Sequence, residues 1–449
     1  ETSICPTPSA SSRPPSSVQH VPPLDRLTNN AVRSTPDAPD TTDVAVSPPA
    51  DAEPNLRDAL ASPPPIDASA TRPFDSLQVM IAASPTDTHG CWVTDREAVW
   101  CAGSATNSRF GALVDSDAGV DGGTNISPPR LTTLGPARDV STGPGFTCVL
   151  RPSGEVACVG DNTLSQLGVA GGGSRSTPVT LSFAEPIVQI VSADFRTYAR
   201  TASGRLFRWG SWSSGLLGRV TIATPQEFTA LGAIADVGAG AGTVCVVTAM
   251  GAVHCEGLHA LGATRPMGES PDRFVQVRTS AATNPPLADA ASVACGSRTC
   301  CAVLRDRTLS CWGDAAIGSL GDGTMAGRLY AAPVPMLTDV HAVSAIRWAT
   351  TGAGGVIRSD TVCAIVGAER GLHCWGSRSQ SIVRPSPERV SGLTDVRVLR
   401  GGLYGMLLVD GLGTSYGWGS NNNGCLGLPI RPPPPSGHEY TLPAFVEFR

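Results

Sequence analysis

Lysine is missing from this 449-residue chain, and all 33 basic positions are arginine. Charged residues of both signs make up only 16% of it, and the net charge is −5. Nucleic acid and acidic bilayers both call for a clustered basic footprint, so neither is expected as a partner. No run of about 18 apolar residues occurs, which excludes a helical membrane span. The seven histidines are scattered. Neither His-Glu-x-x-His nor the phosphate-cradling Gly-x-x-x-x-Gly-Lys appears, and the chain is read as a non-enzyme with no cofactor.

Glycine (50), proline (38) and cysteine (14) are what the chain has in quantity. The first two argue against coiled coil and long helices and fit short strands joined by turns. Fourteen cysteines is a high count for a compartment that keeps thiols reduced. The chain opens on Glu1 rather than Met, as removal of an export signal or excision from a longer chain would leave it. Cys5 lacks the small residue expected before a lipidated bacterial cysteine, so no lipid anchor is assigned.

Residues 1–75 differ from the rest. Pro14-Pro15, Pro22-Pro23, Pro48-Pro49 and Pro63-Pro64-Pro65 recur among Ser, Thr, Ala and Asp. Such a segment buries too little apolar surface to offset ordering, about 1–2 kcal/mol per residue. It is expected to be a disordered, proline-stiffened linker. The second domain, 76–449, is periodic, and the period decides its fold.

Cys91/Cys101, Cys148/Cys158, Cys245/Cys255 and Cys301/Cys311 lie ten positions apart, and Cys363/Cys374 eleven. Each pair brackets two β-rich runs and a turn, as in Cys148-Val-Leu-Arg-Pro-Ser-Gly154-Glu-Val-Ala-Cys158. These read as hairpins with glycine where a positive φ is needed. Residues equidistant from a hairpin turn face each other with Cβ atoms about 4.5–5.5 Å apart, close to disulfide geometry. Two further copies lack both cysteines, with Tyr198/Arg208 and Leu407/Gly417 in their places. Joint presence or joint absence is what bonded pairs predict.

A second signal follows each hairpin, clearest in Cys311-Trp312-Gly313-Asp314 and Gly318-Ser319-Leu320-Gly321-Asp322-Gly323. Partial copies surround Gly160, Trp209, Trp375 and Trp418. Those four positions with Trp312 belong to the repeat, and the tryptophans there are expected in the core. An apolar run precedes each hairpin: Val79–Ala83, Val140–Gly143, Ile187–Ala193, Ile234–Gly240, Ala291–Gly296, Val340–Ala345 and Val396–Gly401. Seven copies of roughly fifty residues result.

These residues resemble the regulator-of-chromosome-condensation repeat: an apolar strand ending in Ala-Gly, a Cys-Ala-Leu-like strand, a turn, Trp-Gly-x-Asn, then Gly-Gln-Leu-Gly-x-Gly. The resemblance covers about 77–449 and implies an all-β, seven-bladed propeller of four-stranded antiparallel blades, here a bacterial, exported, disulfide-containing variant. Kelch repeats fit worse, because their Gly-Gly and Tyr/Trp spacing is missing. Two departures stand out. The histidine frequent before the Cys-Ala-Leu strand is replaced by Phe146, Arg196 and Thr243 among others, and the fourth copy reads Cys255-Glu256-Gly257 in place of Cys-Trp-Gly. A proline-led strand precedes each later central strand, and one more, Pro443–Phe448, is left at the C-terminus. Pairing it with the N-terminal blade would cover both exposed edges.

Candidate sites are few. Asp115, Asp117 and Asp121 alternate with glycine as calcium loops do, yet lack a downstream bidentate Glu, so a plain connection is the first reading and calcium the second. The Cys-x9-Cys spacing does not suit zinc. Trp92, Trp212 and Trp348 lie outside the tryptophan register. Trp348 opens the longest insertion, the glycine-rich Ala349–Thr361. Local packing is the first reading for Trp212, Arg347, Trp348 and Arg358, and a binding patch on one propeller face the second. Cys295 and Cys300 are placed to close a small loop and Cys5 to tether to Cys425; a free or intermolecular thiol is an equal alternative.

The expected function is that of a secreted, periplasmic or surface-displayed binding protein. It is read as monomeric and as engaging a protein or surface polymer. The alternative is a plug for a secreted enzyme, by analogy with a propeller inhibitor of β-lactamase. A lyase or hydrolase comes behind these. Guanine-nucleotide exchange, the founding member's activity, fits a cysteine-paired chain least.

Overall fold

In the computed structural model the described residues span 80–445, excepting 87, 115–124, 214–218, 241, 258–273, 281–282, 284, 315–316, 353–354, 378–382, 403–404, 422–423 and 429–438. The expected linker, 1–75, and the calcium candidates Asp115, Asp117 and Asp121 lie outside them.

Each repeat folds as one contiguous four-stranded antiparallel sheet whose strand order follows the sequence. The seven blades occupy 80–131, 139–181, 187–228, 234–276, 290–333, 340–389 and 396–445. The first strand of each blade packs against the first strands of its neighbours, and blade one against blade seven, so the blades form a closed ring. Among the described residues helix is confined to a 3-10 turn at Thr106–Ser108, and no helix is long and apolar enough to cross a membrane.

Burial follows position in the blade. Second and third strands are almost wholly buried, as in Phe146–Leu150 and Val156–Gly160. Fourth strands are half exposed, Arg219–Phe228 alternating exposed and half-buried positions. The core is thus a set of layers between blades, and two small motifs together build four of the seven.

The first is the disulfide. Cys91–Cys101, Cys148–Cys158, Cys245–Cys255, Cys301–Cys311 and Cys363–Cys374 each bridge directly opposed residues of the second and third strands. Closing a loop of about ten residues is worth roughly 3 kcal/mol against the unfolded chain. The second is the tryptophan. Trp209 packs on the Cys148–Cys158 layer of the preceding blade, Trp312 on Cys245–Cys255, Trp375 on Cys301–Cys311 and Trp418 on Cys363–Cys374. Four of the five bridges are therefore covered by the next blade's indole, while Cys91–Cys101 packs on Val149, Ala157 and Val159 of blade two.

The Gly-x-Leu-Gly segment seats that indole. Trp375 Nε1 donates to the Ser319 carbonyl at 2.9 Å, and Trp209 Nε1 to that of Gln166 at 3.0 Å. At Gly321, φ is +72° and a Cβ would lie 2.8 Å from Trp375 Nε1, so only glycine lets the indole in. Buried asparagine holds the loop. Asn421 Oδ1 accepts from the Leu426 amide at 2.9 Å, and its Nδ2 donates to the Leu428 carbonyl at 2.9 Å.

Ring closure differs from the sequence expectation. The C-terminal strand, Glu439–Phe445, completes blade seven beside Ser415–Ser420, and blade one supplies all four of its own strands. The proline-led strands are the outer strands of the preceding blade, not the lead-in of the next, which removes the stagger that a shared blade would need. Closure is made by packing instead. Trp92 shares a buried cluster with Leu407, Leu426 and Cys425 of blade seven, and Ser127 Oγ donates to the Leu428 carbonyl at 2.7 Å. Trp92 thereby fills the layer that blade seven, with Leu407 opposite Gly417, leaves without a bridge.

Candidate functional site

The first strands of blades two to seven line a central cavity of about 360 Å³. Its polar side chains mostly tie neighbouring blades together. Asp236 accepts from Gln189 Nε2 at 2.7 Å and from the Val293 amide at 2.9 Å, linking blades three, four and five. Ser141 Oγ accepts the Ser192 amide and Ser344 Oγ the Gly401 amide, each at 2.7 Å. Burial pushes the Asp139 carboxyl above its ordinary range, against the pull of Arg400. The cavity wall is a set of blade-to-blade ties, with Asp139, Arg400 and His341 as its further titratable groups.

The ring has two unlike faces. Because strands alternate in direction, turns joining first to second and third to fourth strands emerge on one face, and the other turns on the opposite face. Among the described residues, two hairpins on the first face outgrow the repeat. In blade three, Leu206–Ser213 pairs with Arg219–Phe228 up to Ser213↔Arg219. In blade six, Val340–Gly352 pairs with Gly355–Val366 without a break from Ala342 up to Gly352↔Gly355. The Ala349–Thr361 stretch, expected as a glycine-rich insertion between strands, is thus mostly strand: the β-branched Thr350 and Thr351 pair with Ile357 and Val356.

The four binding candidates sit on these two extensions. Trp212 is at the register position opposite Val220. Arg347 is opposite Asp360, Trp348 opposite Ser359 and Arg358 opposite Ala349. The topology brings all four to one face, three of them on a single hairpin above the innermost strand.

That hairpin is rooted by a residue the sequence reading missed. Asp360, 2% exposed, accepts the backbone amides of Ser297, Arg298 and Thr299 in blade five, each at 2.8 Å. Burial raises its carboxyl above the ordinary range, and the three amides oppose that shift. Gly296 is required beside it, since a Cβ there would lie 2.7 Å from Asp360 Cγ. The turn Asp360 clasps is itself closed by the Cys295–Cys300 bridge. A disulfide and a buried carboxylate therefore fix the base of the blade-six extension.

Other residues fall outside this face. Cys425 is buried and forms no disulfide with a described residue, and its Sγ lies 3.3 Å from the Ser420 carbonyl; its tether candidate, Cys5, is outside the described residues. The sulfurs of Cys245, Cys295 and Cys300 lie within 4.8 Å of one another, a spacing suited to a metal, but all three are in disulfides. His254 and His373 are half-buried on third strands, their imidazoles held below the ordinary range by burial. Blade one does retain a histidine two positions before its cysteine: His89, fully buried, whose Nε2 lies 2.9 Å from Thr147 Oγ1 of blade two. The string Gly413-Thr414-Ser415-Tyr416-Gly417 matches the Gly-x-Ser-x-Gly pattern of serine hydrolases. The structure puts it in the turn and third strand of blade seven with Ser415 1% exposed, not on the strand–turn–helix elbow that such a nucleophile needs.

No family model matches the sequence. Over 363 residues, 75% of this chain, it is 26% identical to the E3 ubiquitin-protein ligase HERC2 of Homo sapiens, and equally to that of Mus musculus. The matched stretch spans about 7% of either ligase. Among solved structures, human WBSCR16 superposes with a TM-score of 0.61 at 20% identity, over 78% of this chain and 95% of that one. Yeast RCC1 (Prp20) bound to Kap60 gives 0.60 at 16% identity, over 83% and 85%. Such identities speak to fold alone. Repeat motif, blade architecture and these superpositions agree: the described body is a seven-bladed propeller of the regulator-of-chromosome-condensation type.

Proposed function

We infer that this chain is a non-enzymatic binding protein of an oxidising, extracytoplasmic compartment, which holds a protein or surface polymer on the face bearing the two long hairpins. The observation that carries this reading is the blade-six extension. It continues the innermost strand beyond the repeat, bears Arg347, Trp348 and Arg358, and is braced at its root by Asp360 and Cys295–Cys300. Aromatic and arginine side chains on a rigid support are what dominate protein interfaces. The compartment is argued from six disulfides in one domain, a number reducing compartments do not sustain. Protein binding is within the reach of the fold, as the complex of Prp20 with Kap60 illustrates.

The test compares the intact chain with one in which 349–358 is replaced by Asn-Gly. Both are passed over immobilised extracellular proteins and polysaccharides, and screened for turnover of small ester, glycoside and uronide substrates. The reading expects a ligand retained by the intact chain and weakened at least tenfold by the replacement. Turnover without any retained ligand would overturn it.

A further inference from the structure

Blades four and five meet backbone to backbone at two glycines. A Cβ at Gly238 would lie 2.1 Å from the Val293 carbonyl oxygen, and one at Gly240 1.9 Å from that of Gly296. Two bare glycines thus let the innermost strand of blade four rest directly on the backbone of blade five. The consequence is a meeting of two disulfides. Cys245 Sγ lies 3.3 Å from Cys295 Sγ and 3.6 Å from Cys300 Sγ, while its own bond is to Cys255. All four cysteines share one buried apolar cluster. The neighbouring bridge Cys301–Cys311 belongs to a different cluster, because Cys300 and Cys301 alternate across their strand. Among the described residues, sulfur contact between bridges is therefore confined to this one pair.

Cys295 also lines the central cavity. We propose that Cys295–Cys300 and Cys245–Cys255 form a two-step thiol–disulfide exchange relay, entered by a small monothiol through the central cavity. In the first step the thiolate of the small thiol attacks Cys295 Sγ. The Cys295–Cys300 bond breaks, a mixed disulfide forms on Cys295, and Cys300 leaves as thiolate. In the second, Cys300 Sγ attacks Cys245 Sγ. The Cys245–Cys255 bond breaks, Cys245–Cys300 forms between the two blades, and Cys255 leaves as thiolate and takes a proton from water. Two disulfides and one thiol are present before and after, the small thiol being replaced by that of Cys255, so no oxidant or reductant is needed.

The outcome is a covalent link between blades four and five, made at the root of the turn that Asp360 clasps, and a thiol at Cys255 in blade four. The inference rests on sulfur contacts alone and stands apart from the binding reading.

The experiment exposes the intact chain to equimolar glutathione, quenches with iodoacetamide and maps peptides without reduction. The relay gives a Cys245–Cys300 peptide, glutathione on Cys295 and carbamidomethyl on Cys255. Glutathione on Cys295 with alkylated Cys300 and an intact Cys245–Cys255 would overturn it, as would a chain left wholly unmodified. Two variants read the same contact without added thiol. C255S is expected to purify with Cys245 bonded to Cys295 or Cys300, and C300S with Cys245 bonded to Cys295. An unpaired Cys245 beside an intact Cys295–Cys300 bond in the first, or an alkylatable Cys295 beside Cys245–Cys255 in the second, contradicts the relay.

Discussion

Tyr198 Oη donates a 2.6 Å hydrogen bond to Glu256 Oε1 across the boundary between blades three and four. Both residues depart from the repeat. Tyr198, with Arg208 directly opposite, stands where other blades have paired cysteines, and Glu256 stands where the covering tryptophan belongs. One layer has thus exchanged both partners at once. Arg196 Nη1 joins them, 3.2 Å from Glu256 Oε1, and Arg208 Nη1 lies 3.5 Å from Oε2. Burial holds the Tyr198 phenol well above its usual range, so it remains the donor. A disulfide-and-indole layer has become a buried ionic one.

Removing one partner of such a cluster strands the others. Glu256→Ala leaves the Arg196 guanidinium, 4% exposed, without its carboxylate, and is expected to cost about 3–5 kcal/mol. Tyr198→Phe removes one bond, about 1–3 kcal/mol. Restoring the repeat shows the coupling: Y198C/R208C should gain stability only when R196T and E256W accompany it. Urea midpoints of the single, double and quadruple variants decide this, and additive effects would contradict it.

His89 sets an acid limit. Its imidazole is held well below the usual value of 6.5, first by burial and then by Arg109. As pH falls below 6.5 the unfolded chain takes up a proton that the folded chain refuses, so stability drops with falling pH, by at most about 1.4 kcal/mol per unit. The raised carboxyls of Asp139 and Asp360 work in the opposite sense, losing stability as pH rises from 3.8. The wild-type minus His89→Gln difference isolates the histidine. Midpoints at pH 7.5, 6.0 and 5.0 should converge as pH falls, and a difference independent of pH would refute the assignment.

The motif glycine and the next blade's indole form a unit. Gly321→Ala forces a Cβ onto Trp375 at positive φ and is expected to cost about 2–4 kcal/mol. In a Trp375→Phe background the added cost should shrink, since the indole nitrogen is gone. Thermal midpoints in the two backgrounds check it.

Asp360→Ala should release the blade-six hairpin from the Ser297–Thr299 turn. Amide hydrogen exchange in 344–352 and 355–364 is expected to quicken at least tenfold, while second strands of blades one and two keep their protection. Uniform loss of protection would make Asp360 a general stability residue instead.

The sequence announced the blades more clearly than the site. Hairpins, bridges and covering tryptophans recur, and recurrence is readable because each copy repeats the same packing solution. Contacts between copies are not periodic. Nothing in Asp360 signals three amides of another blade, and nothing in Cys295 or Cys300 signals contact with Cys245, because these depend on how closely two sheets approach. The departures at Tyr198/Arg208 and Glu256 were both visible, but their meaning lay in being neighbours around the ring. The strand stagger misled on closure, since a proline-led strand reads equally well as the end of one blade or the start of the next.

The most direct test of the account is a peptide map of the alkylated, non-reduced chain. It should return Cys91–Cys101, Cys148–Cys158, Cys245–Cys255, Cys295–Cys300, Cys301–Cys311 and Cys363–Cys374, with Cys425 alkylated only after unfolding. Free thiols at the within-hairpin positions, or bridges joining non-adjacent blades, would contradict a ring built from layers of disulfide and indole.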